Sequence, residues 1–349
     1  MSTPNTSPQV SAGLLALAAG VAVMAVIGAI TRLTESGLSI MEWAPVGGAL
    51  PPLSARRWQE LFTLYQASGE YRQHPVSLET FKTIFWWEWI HRQWGRLLAL
   101  LLLGVAAWFA RARLLRGGVA RLLAFVFALA VLQAVGGWYL VASGFGERSD
   151  VAPWRLVFHL LLALFIYALL LRGGLRAMPR RDAAGKAPPR LLVACWRAGV
   201  VLLFLLIASG GLVAGANAGF VYNTWPLMDG DFIPADYARY EGWLRNISEN
   251  PGAVQFHHRW LAAVVSLLVL VLAAAQWRLC GVCRSAVFVA VAVAVQFGLG
   301  LWTLLAVVPV WLGALHQAGA LALLTAMLWN LEFLRGRAYC VGGAGVAQW

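Results

Sequence analysis

Eight stretches of the chain are nearly unbroken in apolar residues: about 12–31, 89–110, 120–141, 154–172, 191–213, 254–275, 286–306 and 310–333. Each approaches the roughly 20 residues that carry an α-helix across a bilayer. Lipid offers the backbone no hydrogen-bond partner, so such runs predict membrane-spanning helices. The expected fold is an all-α polytopic membrane protein with eight transmembrane helices. The first stretch is longer than a signal-peptide core and no Lys or Arg precedes Arg32, so a retained helix is expected. Between the spans the pattern turns mixed. Two long intervals, roughly 32–88 and 214–253, each predict a short amphipathic segment. In one, Ser54 can cap a helix that places Trp58, Leu61, Phe62 and Tyr65 on one face. In the other, Pro234 opens a segment with Tyr237, Tyr240, Leu244 and Ile247 on one face. Such helices lie flat in the headgroup layer or roof a cavity.

Composition supports the same picture. Of 349 residues, 60% are hydrophobic and only 12% charged, against about 25% charged in soluble domains. This excludes a soluble globular enzyme, a disordered chain and a collagen-like one. The net charge of +12 matters through its distribution. Arg111, Arg113, Arg116 and Arg121 follow the second span. Arg172, Arg176, Arg180, Arg181, Lys186 and Arg190 follow the fourth. Arg278 and Arg284 lie between the sixth and seventh, and Arg335 and Arg337 in the tail. The acids Glu35, Glu42, Asp229, Asp231 and Asp236 fall in the alternate loops. The positive-inside rule then puts both termini in the cytoplasm. The excess positive charge is a topology signal, and no nucleic-acid partner is expected. Cys195, Cys280, Cys283 and Cys340 are too few and too scattered for a disulfide scaffold; Cys280 and Cys283 are expected to be free thiols.

The two halves repeat. Gly28-Ala29-Ile30-Thr31 through Gly37-Leu38 parallels Gly210-Gly211-Leu212-Val213 through Gly219-Phe220. Trp89-Ile90-His91-Arg92 parallels Phe256-His257-His258-Arg259. Gln133 near Gly136-Gly137 parallels Gln296 near Gly298 and Gly300, and His159 parallels His316. The expected organisation is two pseudo-symmetric four-helix bundles, 12–172 and 191–333, in the same membrane orientation, joined by a basic cytoplasmic linker, 173–190.

Histidine is the candidate chemistry. His91, His159, His258 and His316 stand near the outer ends of spans two, four, six and eight, in repeat-related register. Imidazoles inside a membrane are costly and mark functional sites. Two on facing helices in an apolar cavity suit six-coordinate haem iron. Zinc would need a Cys or carboxylate at that depth, where only Glu88 stands; a proton relay is the other alternative. His257 points about 100° from His258, towards a loop or neighbouring helix, and His74 lies in a loop. Glu88 shares a helical face with His91, three residues on, and with Arg92, four residues on. It is either an interfacial partner of Arg92 or a carboxylate aimed at a ligand of His91. The equivalent position in the second half is Gln255, which points to chemistry in one half and electron carriage in the other. Arg32, Arg92, Arg96 and Arg259 could meet haem propionates, or form an interfacial belt.

Several motifs, in order, resemble the haem A synthase family: Gly28-Ala29-Ile30-Thr31-Arg32-Leu33-Thr34-Glu35-Ser36-Gly37-Leu38-Ser39, Phe81 through Arg92, Asn223-Thr224-Trp225-Pro226-Leu227-Met228 and Gln255 through Arg259. The resemblance covers roughly 20–330. It implies an oxidoreductase of the bacterial inner membrane that converts the C8 methyl of haem O to a formyl group, giving haem A. It implies substrate haem between His91 and His159, haem b between His258 and His316, and Glu88 as the essential acid. Haem O synthase, a quinone acceptor, membrane lipid and a second copy of the chain are possible partners. The sequence departs from some members in lacking a cysteine pair in the first outer loop, and from many in having Thr80 before Phe81-Lys82. The competing expectation is a di-haem b-type electron-transfer protein without haem-modifying activity.

Overall fold

The computed structural model describes residues 7–42, 47–144, 151–179, 188–281 and 283–335. The middle of the basic linker, with Arg180, Arg181, Asp182 and Lys186, lies outside the described residues, as do Arg337 and Cys340. Among the described residues eleven α-helices follow one another: α1 Pro8–Leu33, α2 Ala55–Gln66, α3 Gly69–Gln73, α4 Leu78–Arg111, α5 Gly117–Val141, α6 Pro153–Ala177, α7 Arg190–Gly215, α8 Trp243–Glu249, α9 Pro251–Cys280, α10 Arg284–Leu305 and α11 Val310–Arg335. Eight of them, α1, α4–α7 and α9–α11, are long and apolar enough to cross a membrane. The chain is an all-α, multi-pass membrane protein.

The helix starts follow ordinary capping chemistry. Ser7, Ser54, Ser68 and Ser77 each accept a hydrogen bond from the backbone N–H three residues on, satisfying a donor that has no partner within its helix. Asn250 caps α9 by accepting from Gly252 N–H at 3.1 Å, with Pro251 in the first turn.

Two predicted segments come out differently. Hydropathy predicts the second span from residue 89, but α4 begins at Leu78. Hydropathy reports where a helix enters lipid, and Glu79 and Lys82 mask the eleven residues of helix outside it. That extension gives α2 its partner: Leu61, Phe62 and Tyr65 of α2 bury against Phe81 and Phe85. Trp58 packs edge-on to Phe85 at 5.0 Å between ring centroids. The helix capped by Ser54 therefore packs on protein. The segment after Pro234 is not one helix; it runs as turns, and only Leu244 and Ile247 of the expected face fall within α8. Asn246 and Asn250 hold this segment instead, by side-chain bonds to the carbonyls of Tyr240, Gly242, Asp236 and Tyr237.

α1, α6, α7 and α11 form the centre, each packed on two or more of the others. α4 and α5 lean on α1 and α6 at one side; α9 and α10 lean on α7 and α11 at the other. α9 also packs along α10, whereas α4 and α5 barely touch. At one end of the centre, buried Glu332 of α11 accepts from Arg172 Nε and Arg176 Nε of α6, both at 3.0 Å. At the other end, Arg32 of α1 donates through Nη2 to the carbonyl of Ala214 at 2.8 Å and to Asn217 Oδ1 at 2.9 Å.

The repeat extends to backbone conformation. Seven residues after Gly28, Glu35 adopts a left-handed conformation (φ 53°); seven after Gly210, Asn217 does the same (φ 51°). Each opens a single 3-10 turn, Ser36–Leu38 and Ala218–Phe220. Only a few per cent of non-glycine residues take positive φ, so this shared corner marks α1 and α7 as counterparts.

Candidate functional site

Each of the four intramembrane histidines lies against a glycine of a neighbouring helix. A Cβ on Gly28 of α1 would stand 3.2 Å from His91 Nε2, and one on Gly137 of α5 would stand 3.1 Å from His159 Cε1. In the second half, a Cβ on Gly210 of α7 would stand 3.1 Å from His258 Cε1, and one on Gly300 of α10 would stand 3.0 Å from His316 Cε1. The missing methyl groups leave the space that the imidazole rings use, in keeping with small residues permitting close approach in lipid. His91 is within electrostatic reach of His159, and His258 of His316. That influence links α4 with α6 and α9 with α11.

Hydrogen bonding at the second member of each pair is also repeated. Gln133 Nε2 donates to the His159 carbonyl at 3.1 Å and lies 3.2 Å from His159 Nδ1 and 3.1 Å from its Nε2. Gln296 Nε2 donates to the His316 carbonyl at 3.0 Å and lies 3.2 Å from His316 Nδ1. Among the described residues, Gln133 Oε1 and Gln296 Oε1 are buried with no hydrogen-bond partner. The first member differs. His258 Nδ1 is 2.8 Å from Ser209 Oγ, whereas the counterpart of Ser209 in α1 is Ile27. His257 points away as helical geometry requires, with Nε2 2.9 Å from Tyr237 Oη.

Glu88 is 2% exposed and both of its oxygens are engaged. Oε1 accepts from Arg92 Nη2 at 2.6 Å and Nε at 3.0 Å. Oε2 accepts from Ser39 Oγ at 2.8 Å and Ile40 N–H at 2.7 Å. Arg92 also donates to the carbonyls of Ile40 and Glu42. Its counterpart Arg259 donates to the carbonyls of Thr224, at 2.8 Å, and Tyr222. Two of the four arginines considered for propionates thus hold the loop behind their own bundle, and Arg32 ties α1 to the end of α7. Arg96 is half-buried one turn deeper in α4.

The comparisons with known proteins agree along the chain. A family described as "Cytochrome oxidase assembly protein" matches residues 12–328. The protein named "Heme A synthase" from Rhodospirillum centenum is 46% identical over 347 residues, covering 95% of this chain and 92% of its own. Those of Bradyrhizobium sp. BTAi1 (43%; 93% and 91% covered) and Nitrosospira multiformis (42%; 89% of each) are similar over nearly the same extent. The chain belongs to the haem A synthase family.

A haem A synthase family member must accommodate porphyrin iron, and the residues present suit it. Each half offers two imidazoles and a buried amide oxygen with no hydrogen-bond partner among the described residues. Among the described residues, no cluster of three or more His, Cys, Asp or Glu side chains could hold a metal ion by itself; two imidazoles are donors that a haem iron would take, with the porphyrin supplying the rest. Cys195, Cys280 and Cys283 are free, and Cys283 Sγ accepts from Gln276 Nε2 at 2.9 Å. Sequence reasoning missed Ser39, the Ile40 N–H and Ser209. The only signal for Ser209 is its place beside Gly210 in a motif whose counterpart carries isoleucine.

Proposed function

We propose that this chain makes haem A at the first histidine pair, oxidising the C8 methyl of haem O to a formyl group. The route is two successive hydroxylations with oxygen from water; the resulting gem-diol loses water. One observation carries the reading. The two halves share their histidine pairs, glycine seats and arginine clamps, but only the first places a buried carboxylate, Glu88, one turn before its histidine; Gln255 stands at the counterpart and donates to the Ala218 carbonyl. In an electron carrier that carboxylate would serve only to hold Arg92, Ser39 and the Ile40 N–H. A site that develops positive charge at a porphyrin methyl gains from it, because fixed charge acts strongly where water is excluded. With both oxygens already accepting hydrogen bonds, Glu88 suits electrostatic stabilisation better than proton uptake.

His91 and His159 would hold the substrate haem. His258 and His316 would hold haem b, which supplies a one-electron carrier towards an acceptor such as a quinone. The loose α4–α5 seam, against the packed α9–α10 seam, supports exchange of a greasy substrate with lipid in the first half and a resident group in the second. The arginine-rich loops favour the bacterial inner membrane with both termini cytoplasmic. The test is a pigment analysis of purified protein by pyridine haemochrome spectrum and chromatography. Haem b together with haem O or haem A is expected; haem b alone, with haem O supplied, would make the chain an electron carrier. Glu88→Gln should keep both pigments and stop formyl formation.

A further inference from the structure

The asymmetry at the first histidine of each pair has a chemical consequence. Ser209 Oγ lies 2.7 Å from the Leu206 carbonyl and 2.8 Å from His258 Nδ1. A hydroxyl has one hydrogen, and a carbonyl can only accept. The hydrogen therefore goes to Leu206 O, the usual back-bond of a serine in a transmembrane helix. The Leu206 carbonyl is also a hydrogen-bond partner of the His258 ring, and since it can only accept, His258 Nδ1 carries the imidazole's hydrogen and shares it between Leu206 O and the lone pair on Ser209 Oγ. This fixes the tautomer and leaves Nε2 of His258 bare. In the first half Ile27 occupies the counterpart position and offers His91 no hydroxyl.

We propose that Ser209 is a positioning residue that sets the reduction potential of the second haem site through His258. The proposal rests on His258 being an axial ligand of haem b. A hydrogen bond at the far nitrogen makes an imidazole a stronger donor to its metal and fixes the ring's orientation. Stronger donation stabilises ferric over ferrous iron, so an electron reaching this haem is released readily to the next acceptor. The two halves then differ at their histidines as well as at Glu88 and Gln255: the second is tuned to pass electrons on, the first is not.

The test is a spectroelectrochemical titration of purified full-length protein. Ser209→Ala should retain haem b at the same stoichiometry with a low-spin spectrum, and its midpoint potential should rise. A tenfold shift of the Fe(III)/Fe(II) ratio would read as about 59 mV for one electron. Ser209→Thr, which restores the hydroxyl, should return the potential to that of the parent. An unchanged potential in Ser209→Ala with haem retained would overturn the proposal. If Ser209→Ala loses haem, Ser209→Cys replaces it: a thiol is a weaker acceptor of similar size, so a smaller rise supports the proposal and no rise overturns it. Failure of the underlying reading has a separate signature. A His258→Ala variant that keeps an unaltered low-spin haem b spectrum would show that His258 is not a ligand.

Discussion

Arg92 and Arg259 are counterparts that clamp their loops in the same way. Each donates to two main-chain carbonyls, Ile40 and Glu42 for one, Tyr222 and Thr224 for the other, twelve and fourteen residues after the glycine that seats its neighbouring histidine. They differ in what else they meet. Arg92 is ion-paired with Glu88, while Arg259 has a glutamine at the matching position. Removing Arg92 would leave Glu88 buried without its cation, a loss of about 3–5 kcal/mol. Removing Arg259 would forfeit two carbonyl bonds and an attraction to Asp229, about 1–3 kcal/mol. Thermal unfolding in detergent should rank Arg92→Ala below Arg259→Ala, and Glu88→Gln should recover part of the Arg92→Ala deficit. Equal losses would mean that the Glu88 ion pair does not distinguish the two clamps.

The glycine seats can be tested within one helix. Gly300→Ala places a methyl 3.0 Å from His316 Cε1, whereas Gly298 has nothing within 4 Å of its Cβ position. Gly300→Ala should lower haem b affinity on the order of tenfold, the scale on which disturbing a ligand's support acts. Gly298→Ala should leave it unchanged. Pigment content per protein after purification measures both.

Glu332 joins α6 to α11 through Arg172 and Arg176, and its side chain is 5% exposed. Glu332→Gln keeps the shape and removes the charge. It should destabilise by about 1–3 kcal/mol, visible as a lower unfolding temperature, with the haem spectrum at the far end unchanged. A spectrum that shifts with it would place this cluster in communication with the histidines.

Tyr65 is 1% exposed and stacks on Phe81 at 5.1 Å between centroids. Tyr65→Ala should loosen α2 from α4, a local cost of about 3–5 kcal/mol by analogy with other large-to-small aromatic replacements. Limited proteolysis between residues 50 and 78 should speed up markedly. Unchanged cleavage would mean that α2 is held by other contacts.

The spans are legible in the sequence because lipid imposes one backbone solution on any long apolar run, and every expected span lies within a few residues of a helix except the second. There the outer part of α4 is amphipathic and packs on α2, so its apolar residues are interleaved with Glu79, Lys82 and Thr83, and hydropathy alone cannot see it. The histidines are legible because ionisable side chains in lipid are rare and these recur in register. Ser209, Ser39 and the carbonyls that hold Arg92 and Arg259 are not. Hydrogen bonds between residues tens of positions apart leave no periodicity, and a backbone acceptor leaves no residue type to read. The turn-rich stretch after Pro234 fails for a related reason: Asn246 and Asn250 organise it through main-chain carbonyls, which override its helical spacing of aromatics.

Arg32 reaches the carbonyl of Ala214, the residue that occupies its own place in the second repeat. A duplicated membrane unit with identical faces could dock in either sense or pair with a copy from another chain. One guanidinium grasping its symmetry mate turns two similar halves into a plug and a socket. The order of the halves along the chain is thereby built into the way they meet, and a tandem of the second half alone would lack the guanidinium.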